Sequence, residues 1–161
     1  MITCTTTASL FSELKTRIET RQARVGVIGL GYVGLPLALL YTEAKFRVTG
    51  FDIDQHKVAT LSSGGSYICR IPPTEIQAAG SQGFCATSDF SRLTEMDAII
   101  ICVPTPLDEY REPDLSFITN TSRAIAPHLH AGQLVVLEST SYPGTTEEVL
   151  FQSWRKAMVA V

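Results

Sequence analysis

The stretch from Arg24 to Asp54, RVGVIGLGYVGLPLALLYTEAKFRVTGFDID, decides the fold. Arg24-Val25-Gly26-Val27-Ile28 is short, β-branched and apolar, the composition of a strand covered on both faces of a parallel sheet. It breaks on Gly29-Leu30-Gly31-Tyr32-Val33-Gly34, a G-x-G-x-x-G run in which each glycine has a steric task. Gly29 makes the tight turn, Gly31 admits a diphosphate, and Gly34 lets the next helix close on the strand. Leu35 to Ala44 is apolar with good helix formers, so the positive end of a helix and its free N–H groups would face that diphosphate. Phe46 to Asp52 reads as a second strand ending in an acid 21 positions beyond Gly31. An aspartate there suits both ribose hydroxyls of an adenosine and repels a 2′-phosphate, which favours NAD over NADP. Asp54 competes with Asp52 for the ribose contact but reads better as the cap of a helix starting at Gln55. Lys57, in its first turn, reads either as a ribose contact or as a solvated lysine.

Composition narrows the class. A chain of 161 residues is one domain's worth and buries roughly 70% of the surface its unfolded form exposes. Apolar residues make up 45% and charged residues 18%, with no signature of disorder. The net charge of −3 argues against nucleic-acid and anionic-membrane partners. No apolar run approaches the length of about 20 residues that spans a bilayer, and the first residues lack the pattern of a secretory signal, so the cytoplasm is the expected compartment. Cys4, Cys69, Cys85 and Cys102 show no paired spacing and read as free thiols, Cys102 as a buried strand residue. His56, His128 and His130 are scattered, and no metal site is expected.

Outward from the central stretch, Leu10, Leu14 and Ile18 are at helical spacing in Ser9 to Arg21, with Ser9 or Ser12 as a cap; Thr3 to Thr7 is expected to fray. Val58 and Leu61 give one face of a helix stopping near Gly64. Thr74 to Ala79 makes a short helix after Pro72-Pro73, inside a long connection of the kind that is often functional. Phe84 to Thr87 is the third strand, with Asp89 capping a helical turn. Asp97 to Val103 is the most apolar run, a central strand that stops at Pro104; Pro104-Thr105-Pro106-Leu107 then falls at its carboxyl end, where open α/β sheets bind ligands. Leu115, Ile118, Ser122, Ile125 and Leu129 form a helical stripe running to about His130. Gln133 to Glu138 is the fifth strand, and Thr145-Thr146-Glu147-Glu148 opens a last helix through Leu150 and Trp154 towards Val161. Strand and helix alternating in this way predict a Rossmann-type doubly wound parallel sheet, three layers α/β/α, in strand order 3-2-1-4-5. Residues 1–23 are a helical extension and 24–161 the nucleotide-binding domain.

Three pieces together, GLGYVGLPLA with FDID, VPTP with PDLS, and LESTSYPGTTEE, resemble the UDP-glucose/GDP-mannose dehydrogenase family, and the third looks most like its UDP-N-acetylglucosamine 6-dehydrogenase branch. The match runs from Arg24 to about Leu150 and spans that family's N-terminal, NAD-binding part. The resemblance implies an enzyme that oxidises a sugar C6 alcohol twice, to a uronic acid, using two NAD. It implies that Gly29, Leu30, Gly31, Tyr32, Val33 and Gly34 hold the pyrophosphate, with Asp52 and Lys57 on the adenosine ribose. Val103, Pro104 and Thr105 would line the coenzyme's path, Ser139 and Thr140 would lie near the nicotinamide, and the threonine matching Thr140 is tied in the family to the reacting water. Thr140 is therefore the one catalytic candidate. Plainer readings stand beside these. Thr105 could serve its own backbone, and Ser139 and Thr140 could form a hydroxyl–backbone turn before Pro143; Glu138 reads either as a coenzyme or substrate contact or as a solvated acid, and Arg111 either as meeting a sugar diphosphate across the cleft or as an exposed loop residue.

The family's glycine-rich cysteine motif and its later catalytic lysine do not occur in this sequence. The expectation is a chain that binds NAD, with a UDP-sugar as further ligand, and does not turn over by itself. It would self-associate or dock to a C-terminal half through apolar surface. The alternative from another class is a non-catalytic nucleotide-binding or oligomerisation module.

Overall fold

Five short apolar runs pair as parallel strands: β1 Arg24–Ile28, β2 Arg47–Phe51, β3 Phe84–Thr87, β4 Ala98–Ile101 and β5 Leu134–Leu137. Their order is β3-β2-β1-β4-β5, as the sequence predicts. The computed structural model describes residues 7–106, 111, 113–141, 143–151 and 154. Register sets Ile28 opposite both Phe51 and Ile101, and Ile101 opposite Leu137, so the carboxyl ends finish level. One further amide extends each ladder: Gly29 N–H to the Phe51 carbonyl (2.8 Å), Cys102 N–H to Ile28 (2.8 Å) and Glu138 N–H to Ile101 (2.9 Å). The chain leaves β1 towards β2 on one side and returns to β4 on the other, which makes the end of β1 the switch point where a crevice opens.

Because successive strand residues face opposite ways, the sheet feeds two cores. Val25, Val27, Val48 and Ile100 pack with Leu35, Ala38, Leu61 and Ile76, which lie on helices α2 (Gly34–Glu43), α3 (Gln55–Ser62) and α4 (Pro73–Ser81). On the other face Ile28, Phe51, Ile99 and Ile101 meet Leu93, Met96 and the stripe Ile118 and Ile125 of α5 (Ser116–Ile125). Each fully buried side chain of this size contributes about 1.5–3 kcal/mol. Asp54 caps α3 as expected, accepting from the His56 and Lys57 amides, and Asp89 accepts from Ser91 at the start of a 3₁₀ turn, Phe90–Glu95.

Several expectations change. The first helix, α1, begins at Thr7 and ends at Glu19, and neither serine caps it: Ser9 Oγ donates to Glu13 Oε1, and Ser12 Oγ to the Ala8 carbonyl. No α1 residue is fully buried. The helix is held by Ile18, which packs on the core, and by the Arg17 guanidinium on Asp97, whose other oxygen takes the Arg24 amide at 2.7 Å. β4 stops at Ile101, leaving Cys102 buried just beyond the strand. α5 stops at Ile125 rather than His130, because Pro127 has no N–H for the next helical bond; a 3₁₀ turn, Ala126–His128, replaces it. Thr146–Phe151 winds as a π-helix, with the Glu147 and Glu148 amides both on the Gly144 carbonyl. Trp154 Nε1 donates to the Ser122 carbonyl at 3.2 Å. Cys4, Leu107, Tyr142, the segment before Thr7 and the run from 155 to Val161 lie outside the described residues. Among the described residues, no helix is long and apolar enough to cross a membrane, and no three metal-ligating side chains gather.

Candidate nucleotide-binding site

A cleft of about 610 Å³ opens at the level carboxyl ends of β1, β2, β4 and β5, within the range of small-molecule sites. Its floor is the turn from β1 into α2. Gly29 sits at φ 89° with its Cα against the Cys102 carbonyl, a position where a side chain meets backbone at 2.8 Å. A Cβ at Gly34 would lie 1.9 Å from the Gly29 carbonyl oxygen, so α2 closes on the turn only because residue 34 is glycine. At Gly31 the situation is reversed: a Cβ there meets nothing within 4 Å and would project into open space. Among the described residues, nothing accepts a hydrogen bond from the amides of Gly31, Tyr32 or Val33. Open space beside free amides at the start of a helix suits an anionic diphosphate.

Gly29, Gly31, Tyr32 and Val33 line the cleft, Tyr32 and Val33 as exposed rim residues. Leu30 and Gly34 do not. The Leu30 side chain is fully buried over Gly50, and its amide donates to Asp52 Oδ2 at 2.8 Å, so Leu30 is held by the acid and is not itself open to a ligand. Asp52 lies at the lip of β2 and is 6% exposed. Its Oδ1 accepts from the Asp54 amide (2.9 Å) and its Oδ2 also from Lys57 Nζ (3.4 Å), so the acid fastens the glycine turn to β2 as well as facing the cleft. Lys57, half-buried, lines the same wall.

Across the cleft, Val103, Pro104 and Thr105 follow β4 while Ser139 and Thr140 follow β5, and all five line it. Ser139 Oγ donates to the Val103 carbonyl at 2.7 Å, which binds the two loops together. The hydroxyl–backbone contact expected for Ser139 is therefore real, but it crosses between strands instead of closing a local turn. Thr140 is exposed beside it. Arg111, itself exposed, stands at φ 63° in the connection after β4.

The cleft has further walls, of which the pattern does not single out Phe117, Thr121 and Phe90. Phe117 and Thr121 lie one turn apart on α5, on the stripe next to Ile118 and Ser122, a spacing that could have shown them. Phe90 lies tilted against Phe51, with ring centroids 5.8 Å apart, and both line the cleft. Cys102 sits under the turn, its thiol pushed up to about 11 by burial first and by Glu138 second. Glu138, exposed, also lines the cleft.

A level parallel sheet with a glycine turn, free amides and an acid at the neighbouring strand end defines a dinucleotide-binding domain. The chain matches the UDP-glucose/GDP-mannose dehydrogenase family, NAD binding domain, over residues 23–160, and it belongs to that family. It is 40% identical over 128 residues to the UDP-N-acetyl-D-glucosamine 6-dehydrogenase of Pseudomonas aeruginosa, covering 80% of this chain and 30% of that protein. It is 43% identical over 127 residues to an NDP-N-acetyl-D-galactosaminuronic acid dehydrogenase of Ralstonia nicotianae, covering 78% and 29%. Among solved structures, a ternary complex of GDP-mannose dehydrogenase from Pseudomonas aeruginosa superposes with a TM-score of 0.78 at 28% identity, covering 83% of this chain and 32% of that one. The chain thus spans about a third of the length of the relatives it matches.

Proposed function

We propose that the cleft holds NAD+ for a nucleotide-sugar 6-dehydrogenase acting on a UDP-N-acetylhexosamine. The observation that carries this is the open face of Gly31 beside unpartnered amides, with Asp52 at the adjoining strand end. The Gly31, Tyr32 and Val33 amides hold the diphosphate, and Asp52 with Lys57 faces the adenosine ribose. Val103, Pro104 and Thr105 line one side of the nicotinamide end, Ser139 keeps the two loops together, and the Thr140 hydroxyl orients the water that enters the reaction. NAD+, when bound, supplies the hydride acceptor for oxidation of the alcohol. The sugar class is supported by the names of relatives at about 40% identity, which include a UDP-N-acetyl-D-glucosamine 6-dehydrogenase and a UDP-N-acetyl-D-mannosamine dehydrogenase.

Calorimetric titration of the 161-residue polypeptide tests the coenzyme half. NAD+ is expected to bind with a roughly micromolar Kd and NADP+ more weakly. With these residues alone, no NADH is expected from UDP-N-acetylglucosamine or UDP-N-acetylmannosamine. Absence of NAD+ binding refutes the reading of the cleft, and steady NADH production refutes the view that these residues supply only the coenzyme half.

A further inference from the structure

The connection between α3 and α4 supplies one residue that the coenzyme reading does not use. Tyr67 reaches back across 37 positions, and its hydroxyl donates to the Leu30 carbonyl. That carbonyl belongs to the peptide whose N–H is Gly31's, the residue that opens on the cleft. In a trans peptide the carbonyl and the N–H point opposite ways, so whatever holds one aims the other. Tyr67 packs with Leu30 in the core on the α2 side of the sheet and does not line the cleft. The carbonyl is therefore drawn inward and the Gly31 amide turned out.

A second contact comes from the ring. Lys57 Nζ lies 6.0 Å from the Tyr67 centroid, at cation–π range, and 3.4 Å from Asp52 Oδ2, the oxygen that takes the Leu30 amide. Leu30, Asp52, Lys57 and Tyr67 close a circuit around one residue, with the N–H of Leu30 tied on one side of its Cα and its carbonyl on the other. Burial first, then the charges of Asp52 and Asp54, raise the phenol's pKa, so the hydroxyl stays a donor at any ordinary pH.

We propose that Tyr67 is a positioning residue of the dinucleotide site, fixing the Leu30–Gly31 peptide so that its amide faces the diphosphate and keeping Lys57 beside Asp52. This rests on the coenzyme reading above and adds to it a residue from outside the cleft. Loss of the hydroxyl leaves the Leu30 carbonyl without its donor and the peptide free to turn towards water. The ring, by contrast, acts on the ribose end.

The test separates those two ends. Tyr67→Phe keeps the ring and removes the hydroxyl: the Kd for NAD+ is expected to rise roughly three- to tenfold, the scale of one net hydrogen bond, while the Kd for adenosine, which has no diphosphate, changes less than about twofold. Tyr67→Leu removes both and is expected to weaken adenosine as well. In the ligand-free protein, the Gly31 amide resonance of Tyr67→Phe is expected to shift, and the thermal midpoint to fall by no more than about 2–4 °C, the scale of one net hydrogen bond. Equal weakening of NAD+ and adenosine by Tyr67→Phe, or an unmoved Gly31 resonance, overturns the proposal. If wild type binds no NAD+, the coenzyme reading fails by itself, and the Gly31 resonance still decides whether Tyr67 sets the peptide.

Discussion

Adding a methyl group at Gly34 and adding one at Gly31 are expected to do opposite things. At Gly34 the new carbon lies 1.9 Å from the Gly29 carbonyl oxygen and 3.1 Å from Cys102 Cβ, whereas ordinary contact starts at 3.4 Å, so about 1.5 Å must be found. Neither neighbour yields easily, since Gly29 is bonded to Phe51 and Cys102 to Ile28, each at 2.8 Å. Overpacking costs about 1–3 kcal/mol, and displacement of fixed backbone puts Gly34→Ala at the upper end, about 3 kcal/mol. At this chain length that lowers the thermal midpoint by about 6–12 °C. At Gly31 the methyl meets nothing within 4 Å and the backbone is not in the left-handed region. Gly31→Ala is therefore expected to leave the midpoint unchanged or raise it by up to about 4 °C, through lost freedom in the unfolded chain. On the proposed reading, NAD+ affinity is expected to fall at least about tenfold, because the methyl would stand where the diphosphate approaches. Thermal melts followed by circular dichroism, with calorimetric titration of NAD+, read both variants. A Gly34→Ala protein that melts with wild type, or a Gly31→Ala protein that keeps its NAD+ affinity, refutes the steric account of the turn.

Ser122 is fully buried on α5, and its hydroxyl has no partner among the described residues; Ser122→Ala is expected to stabilise the chain by about 1 kcal/mol, seen as a midpoint about 2–4 °C higher. Asp97→Ala removes the acceptor for the Arg24 amide and for Arg17 and is expected to cost about 1.5–3 kcal/mol in denaturant melts. Arg17→Ala, whose side chain is 56% exposed, is expected to cost less than about 1 kcal/mol. For Cys102 the folded pKa is raised, so the fold favours the protonated thiol: that contribution is complete below about pH 9 and is lost as pH rises through about 11. The midpoint of wild type should fall more steeply across that window than that of Cys102→Ala, and iodoacetamide near neutral pH should label exposed Cys69 and Cys85 ahead of Cys102.

The strands were legible because each is a short apolar run bounded by glycine, proline or polar residues, and in a sheet covered on both faces composition alone marks the element. The order followed from alternation and handedness, which leave few topologies. What composition did not show is where side chains spend their hydrogen bonds. Ser9 and Ser12 have the chemistry of caps but sit inside α1, where their hydroxyls turn to Glu13 and to the Ala8 carbonyl. Ser139 has the chemistry of a local turn, yet its hydroxyl reaches Val103, 36 positions back. Tyr67 carried no local signal at all, because its partner is placed by the packing of α2 and β1 rather than by anything near it in sequence. Contacts of this kind join loops that meet only once the sheet has formed.

Asp52 shows why that matters for testing the site. A carboxylate offers about four acceptor positions, and three donors already use it: the amides of Leu30 and Asp54 and the Lys57 ammonium. The two amides are short and fixed by the fold. Lys57, at 3.4 Å and with its side chain 35% exposed, is the donor able to give way when ribose hydroxyls arrive on the proposed reading. Asp52→Asn must therefore aim its NH₂ at an amide or at the ammonium, and is expected to lose about 1–3 kcal/mol of stability together with NAD+ affinity. Lys57→Met leaves both amide bonds in place and is expected to change affinity with the midpoint held within a degree or two. If Asp52→Asn melts with wild type, the acid does not fasten the turn, and its position at the lip of β2 must be explained by the ligand alone.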